Sequence, residues 1–194
     1  MIRVEALTAE ALDAALDDVA RLRISVFRAW PYLYDGDLDY ERRYMESYRN
    51  SETAVLVGAF DGNRMVGAAT GTPMEDHAKD FAAAFDGAGE DLGSIFYCAE
   101  SVLLPEYRGK GIGHRFFDLR EAHARNLGRT KSAFCGVIRP ADHPGRPAEY
   151  VPLDTFWRKR GYCPLAGAIA RFRWKDVGEA EQTEKELQVW MRTL

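Results

Sequence analysis

Arg108-Gly109-Lys110-Gly111-Ile112-Gly113 stands between a stretch suited to a strand and one suited to a helix. Upstream, Ile95 to Leu104 is rich in β-branched and aromatic residues, and Pro105 withdraws the N–H that a central strand would need next. Downstream, His114 to Leu127 contains neither Gly nor Pro, and Ile112, Phe116, Leu119 and Leu127 recur on roughly one helical face. Gly128 then acts as a stop signal. A glycine-rich turn feeding a helix N-terminus presents unpaired N–H groups at the positive end of the helix dipole. Such a turn suits an anion, most often a phosphate.

Spacing narrows the choice of phosphate motif. The dinucleotide fingerprint would need its third glycine where His114 stands, and no Walker-type run occurs anywhere in the chain. What remains is Arg108-x-x-Gly111-x-Gly113, entered through Val102-Leu103-Leu104-Pro105-Glu106-Tyr107. This resembles the pyrophosphate-binding loop of the GNAT superfamily of acyl-CoA-dependent N-acetyltransferases, which is reached from a strand through a Pro-x-Tyr/Phe step. Phe156-Trp157-Arg158-Lys159-Arg160-Gly161-Tyr162 is similar to the family's Phe-Tyr-x-x-x-Gly-Phe segment and follows the next strand, as in the family. Each segment also has a plain reading, as a ligand-free turn and as a helix end with Gly161 as its C-cap. Their order and spacing favour the resemblance.

Length and composition fit one domain over residues 1–194. No run approaches the ~20 apolar residues of a membrane span, and Met1-Ile2-Arg3-Val4-Glu5 lacks the apolar region of a signal peptide, so a cytoplasmic location without membrane association is expected. Cys98, Cys135 and Cys163 are widely spaced and fit neither a disulfide framework nor a zinc site; they read as buried reduced thiols, and no metal is expected. A net charge of −4 argues against nucleic acid as a partner. Pro105 to Lys131 nevertheless carries +4, leaving −8 for the rest. Such a basic lobe suits the phosphates of coenzyme A, or is a solvated helix face.

A pass along the chain predicts alternating strands and helices. Ile2 to Leu7 reads as a strand, Thr8 as the cap of a helix from Ala9 to Phe27, and Asp39 to Arg49 as a second helix with a Tyr40/Tyr44/Tyr48 stripe. Thr53 to Phe60 and Met65 to Gly71 flank Asp61-Gly62-Asn63-Arg64 as a hairpin. Glu75 to Phe85 reads as helical, Lys131 to Ile138 as a strand and Leu153 to Arg160 as a short helix. Ala168 to Trp174 and Glu186 to Met191 read as a closing pair of strands.

The resemblance implies an α/β fold: a mixed, mostly antiparallel central sheet flanked by helices, with two parallel strands splayed at the coenzyme A site. It implies acetyl-CoA as acyl donor. The backbone near Ser101, Val102 and Leu103 would pair with the pantetheine arm, and the N–H groups of Gly109, Lys110, Gly111, Ile112, Gly113 and His114 would take the pyrophosphate, with Arg108 bracing the loop.

The reaction needs a neutral amine, and a primary amine with a lysine-like pKa is only roughly 0.1% neutral near pH 7.4. A carboxylate can remove the proton, directly or through water. Glu100 is the candidate base, or else an ordinary strand carboxylate; strand alternation would set it on one face with Cys98 and Val102. Trp157 stands where the family often has its tyrosine acid, leaving that role empty or open to Tyr150 or Tyr162. The linker Trp30 to Asp39 pairs aromatic rings with carboxylates, so Tyr32, Tyr34, Asp35 and Asp37 are candidate contacts to a cationic acceptor. An aromatic plug with N-capping aspartates is the alternative. Arg139 to Asp154 holds four of the eight prolines and reads as a lid or binding loop, with His143 on it.

The favoured function is N-acetylation of a small-molecule amine. The alternatives are acetylation of a protein lysine or N-terminal amine, and acyl-CoA sensing without turnover. A cleft closed by 30–39 and 139–154 would favour the small molecule. A homodimer is compatible with this reading.

Overall fold

Gly62 takes φ +61° in a two-residue turn, so the hairpin strands on either side pair from Asp61 and Arg64 outward. A computed structural model of the chain describes residues 2–7 and 9–194. The elements are β1 (Ile2–Ala6), α1 (Ala9–Phe27), α2 (Leu38–Arg49), β2 (Val55–Asp61), β3 (Arg64–Pro73), α3 (Ala78–Phe85), β4 (Ile95–Leu103), α4 (Ile112–Asn126), β5 (Lys131–Val137), α5 (Asp154–Lys159), β6 (Cys163–Lys175) and β7 (Gln182–Thr193). Thr8, the expected cap of α1, lies outside the described residues. The helical reading of 75–85 resolves into a 3-10 turn, Met74–His77, followed by α3. The closing strands are longer than expected, because their exposed outer portions lack a hydrophobic pattern yet still pair from Ile169↔Gln188 to Lys175↔Gln182.

The seven strands form one sheet in the order β1-β2-β3-β4-β5-β7-β6, antiparallel except for β4–β5. The α/β fold expected from the sequence is the one observed, with α4 and α5 packed on one face. Phe116 and Phe117 of α4 meet Phe96, Cys98, Phe134 and Trp190 there. On the other face, α1 buries Leu12, Ala15, Val19 and Leu22, spaced three and four apart, against Met45 and Tyr48 of α2 and Leu56 and Val102 of the sheet. Of the tyrosine stripe, Tyr48 is buried whereas Tyr40 is exposed. All three cysteines are free, but only Cys98 is buried as expected; Cys135 is half-buried, and Cys163 is exposed because it begins edge strand β6.

Two irregularities in β4 shape the middle of the sheet. Thr70 pairs with Glu100 and Thr72 with Tyr97, so Cys98 and Ala99 together oppose the single residue Gly71. This is a β-bulge, and it breaks the two-residue alternation. Cys98 therefore packs with α4, while Glu100 turns to α1 and Val102 joins the α1–α2 cluster. The expectation that Cys98, Glu100 and Val102 share a face is corrected by this one extra residue. The second irregularity is a divergence. β4 and β5 pair only at Ile95↔Lys131, Phe96↔Ser132 and Tyr97↔Ala133, whereas β5 stays paired with β7 through Val137.

Candidate active site

Where β4 and β5 part, a cavity of about 1260 Å³ opens between them. Its floor is the two strands, from Cys98 to Leu103 and from Phe134 to Ile138; the loop before α4 and the segments 26–32 and 147–154 complete the lining. Gly109 and Gly111 have φ of +74° and +79°, a left-handed backbone that a side chain would strain. Gly111 is also the N-cap of α4, and no side chain caps it, so the first turn of the helix faces the cavity with its N–H groups unblocked by side chains. Arg108 Nε donates to the Leu103 carbonyl oxygen (3.3 Å), tying the loop back to the strand.

Of the ten candidate cofactor contacts, Ser101, Leu103, Arg108, Gly109, Gly111, Ile112, Gly113 and His114 line the cavity. Two stand outside its wall. The Val102 side chain is buried among α1 and α2 residues, and the Lys110 ammonium sits 4.9 Å from the centre of the Tyr107 ring. The +4 of the surrounding segment is partly consumed internally: Arg129 pairs with Glu75 (2.7 Å), Lys131 with Glu90, and Arg120 is buried.

Glu100 lines the cavity, and its Oε2 meets Arg23 Nη1 at 2.5 Å and accepts from the Tyr44 hydroxyl (3.3 Å). Its Oε1 is buried without a hydrogen-bond partner among the described residues. Below it, the bulge is held by Arg120 of α4. The buried guanidinium donates to the carbonyl oxygens of Glu100 (2.9 Å), Thr70 (3.1 Å) and Phe116 (3.2 Å) and to Ser101 Oγ (2.9 Å). The carbonyls that a bulge frees from the strand ladder thus have a donor.

Tyr150 also lines the cavity, with its ring edge-on to Trp30 at 6.0 Å. Burial and the neighbouring charge of Asp154 hold its phenol above the ordinary range. Tyr162 does not reach the cavity: it is wholly buried beside Phe117 and Phe134, and its hydroxyl donates to Glu121 Oε1 (3.0 Å) and is hydrogen-bonded to the Ser132 hydroxyl (2.8 Å). Trp157 is packed on Phe134 and Trp190.

Residues 19–147 match the profile of the acetyltransferase (GNAT) family. The chain belongs to that family. It is therefore an acetyl-CoA-dependent acetyltransferase. No curated protein sequence matches significantly. Solved structures resemble it throughout their length at low identity. The yncA protein of Salmonella typhimurium, solved with its cofactor acetyl-CoA, is 12% identical with a TM-score of 0.62, covering 100% of this chain and 94% of its own. The polyamine N-acetyltransferase of Drosophila melanogaster gives 13% and 0.63, covering 100% of both chains. Ribosomal-protein-alanine N-acetyltransferase of Brucella melitensis gives 14% and 0.62, covering 99% of both. At such identities the likeness establishes the fold alone.

In this GNAT chain the linker before α2 behaves differently from the cation-reading surface expected of it. Tyr32 lines the cavity, against Phe27 and Trp174. Tyr34 instead bridges to Asp176 through its backbone and stands outside the cavity wall. Asp35 pairs with Lys175 (2.7 Å) and Arg28 (3.2 Å), and these cations hold its carboxyl below the ordinary range. Asp37 caps α2, accepting from the Tyr40 N–H at 2.9 Å. Tyr34, Asp35 and Asp37 are thus engaged in holding the linker and are not gathered around the acceptor space.

The 139–154 connection folds over the same space. Arg139 donates to the carbonyl oxygens of Pro31 (2.9 Å) and Tyr32 (2.6 Å), and His143 lies 5.1 Å from the Trp30 ring. His143 Nδ1 accepts from the Gly145 N–H (3.0 Å), giving it a loop-internal role. Sequence reasoning assigned no inward role to Arg23, Glu41 or Arg120, three of the buried charges. The signal was present, since each is a charge on an apolar stripe, four residues from Val19, Met45 and Phe116 respectively.

Proposed function

We propose that this acetyltransferase acetylates the primary amine of a small molecule, by direct attack of the amine on the acetyl-CoA thioester. The observation that carries this reading is the joining of two segments over the acceptor end of the cavity: Arg139 binds the backbone of Pro31 and Tyr32, and Trp30 meets His143 and Tyr150. A wall closed in this way suits a small acceptor better than a protein chain, which needs an open groove.

The donor would lie along the divergence, with its phosphates toward Gly109–His114 and its thioester toward Glu100. Among the residues of this chain, Glu100 is the proposed base. Its unpartnered Oε1 is a buried acceptor, costly unless something donates to it, and an amine N–H is such a donor. Tyr150 is the proposed acid for the departing thiolate: with Tyr162 held in the core and Trp157 unable to give up a proton usefully, it is the tyrosine of that region on the cavity. Its raised pKa keeps the phenol protonated at neutral pH, as a donor requires. Tyr32 is the linker residue proposed to touch the acceptor.

The reading is tested by thiol release from acetyl-CoA with a panel of small amines and lysine peptides. Turnover of small amines, with a kcat fall of about 10²- to 10⁴-fold in Glu100→Gln, is expected. The deficit should narrow at high pH, where the amine loses its proton unaided. Turnover of peptides in preference to small amines would establish the protein-directed alternative, and acetyl-CoA binding with no turnover would establish a sensor.

A further inference from the structure

Two carboxylates from different elements, one of them on the cavity wall, converge on one guanidinium behind it. Arg23 of α1 ion-pairs with Glu41 of α2 and, at 2.5 Å, with Glu100 of β4. Glu41 is fully buried, and the Arg23 and Glu100 side chains are nearly so. The group holds one net negative charge in a region where unbalanced charge is costly.

This charge balance governs what Glu100 can do. In a simple pair with Arg23, Glu100 could take up a proton only by stranding a buried guanidinium without a counter-charge. Such a pair opposes protonation, and so makes a weak base. Glu41 removes the conflict. When Glu100 is protonated, Arg23 remains paired with Glu41 and the group becomes neutral.

We propose that Glu41 is a positioning residue for the base: it retains the Arg23 guanidinium each time Glu100 accepts the acceptor's proton. This rests on the reading of Glu100 as base. In the step, an ammonium N–H bond breaks and an O–H bond forms at Glu100 Oε1. The freed nitrogen lone pair attacks the acyl carbon, the C–S bond breaks as the thiolate leaves with the Tyr150 proton, the second amine proton returns to Tyr150, and the proton on Glu100 passes to solvent on product release. The group goes from one negative charge to none and back.

The other titratable groups facing Glu100 do not take over this part. Tyr48 from α2 and Tyr97 from β4 are buried, Tyr44 from α2 and Tyr32 from the linker are half-buried, and loss of solvent holds all four phenols above the ordinary range, so they stay neutral. Arg120, from α4, reaches the Glu100 backbone carbonyl. The charges set against the Glu100 carboxylate are therefore Arg23 and Glu41.

The test is the pH dependence of kcat/KM with one amine throughout, for wild type, Glu41→Gln, Arg23→Met and Glu100→Gln, each checked by thermal melting. In Glu41→Gln the acid limb should move down by on the order of one pH unit, with a lower plateau, because Arg23 then opposes protonation alone. In Arg23→Met it should move up, because two buried carboxylates face each other. A role confined to stability would lower melting temperature and leave the limb in place. An unmoved or raised limb in Glu41→Gln overturns the proposal. That variant is isosteric and removes buried charge, so it decides the matter even if Arg23→Met fails to fold. If Glu100→Gln keeps the wild-type plateau and limb, the base assignment itself is wrong. If Glu100→Gln is impaired while Glu41→Gln keeps its limb, only the positioning role is lost.

Discussion

Arg139 and Asp176 form a two-pronged ion pair, at 2.7 and 3.0 Å, and the same guanidinium holds the carbonyl oxygens of Pro31 and Tyr32. One side chain from the proline-rich connection thereby fastens the linker before α2 to the start of the β6–β7 turn. Arg139→Met should free both segments from each other. The expected result is a raised KM for the amine, by roughly 10-fold if one charge-assisted pair is lost, with acetyl-CoA affinity unchanged. Steady-state kinetics with each substrate varied in turn would check it.

The same pair has a defined pH behaviour. Burial alone would raise the Asp176 pKa, but hydrogen bonds and charge from Arg139 and Lys185 outweigh it and hold the carboxyl below its ordinary value. A depressed carboxylate contributes stability that is present above the unfolded pKa of about 3.9 and is lost as pH falls through the lower folded value. Asp176→Asn should therefore lower the melting temperature at pH 7, and the difference from wild type should shrink only in strong acid. A difference that already vanishes near pH 6 would contradict this assignment.

Gly111 needs its left-handed backbone, while the space around it is open. Gly111→Ala should cost about 1–2 kcal/mol in stability from backbone strain. Gly111→Glu adds a negative charge beside the α4 N-terminus and should weaken acetyl-CoA binding by at least about tenfold, with folding retained. Calorimetric titration of folded protein would measure it, and unchanged affinity would move the phosphates elsewhere.

Asp37 is an N-cap, so its chemistry as a cap should dominate its phenotype. Asp37→Asn should be nearly neutral and Asp37→Ala should cost about 0.5–2 kcal/mol. Neither should change KM for the amine. A KM effect without a stability effect would return this residue to the acceptor site.

Arg120 supplies the donors for the bulge carbonyls of Thr70 and Glu100. Arg120→Met leaves these buried oxygens unpaired and should destabilise the fold by about 2–4 kcal/mol. Arg120→Lys cannot span the same fork of acceptors and should recover only part of the loss. Denaturant unfolding of the three proteins would establish the order.

Much of the fold could be read along the chain because local signals agreed with one another. The bounds of α1, the Gly62-Asn63 turn and the strand–glycine–helix passage around Arg108 each rest on residues adjacent in sequence. The candidate site was legible where backbone conformation decided it, at Gly109 and Gly111, and not where tertiary partners decided it. Asp35 and Asp37 suggest a cation site by composition, yet their charges are spent on Lys175, Arg28 and the end of a helix. Arg120 counted as part of a basic lobe, although it points inward to four oxygen atoms. The bulge in β4 had no composition of its own; it arises from a register against β3 that single-strand alternation cannot express.

The short parallel seam at Ile95–Tyr97 divides the sheet into two boards joined along one edge, β1 to β4 on one side and β5, β7 and β6 on the other. Beyond Tyr97 nothing in the β-ladder holds the boards at a fixed separation. Any ligand seated along that opening adds contacts between the boards beyond those made by α4 and the shared core, and so adds to what keeps the protein folded. At a hundred times its dissociation constant, such a ligand adds about 2.7 kcal/mol. The melting temperature of this enzyme should therefore rise with acetyl-CoA concentration, the donor acting as a clasp across the two boards.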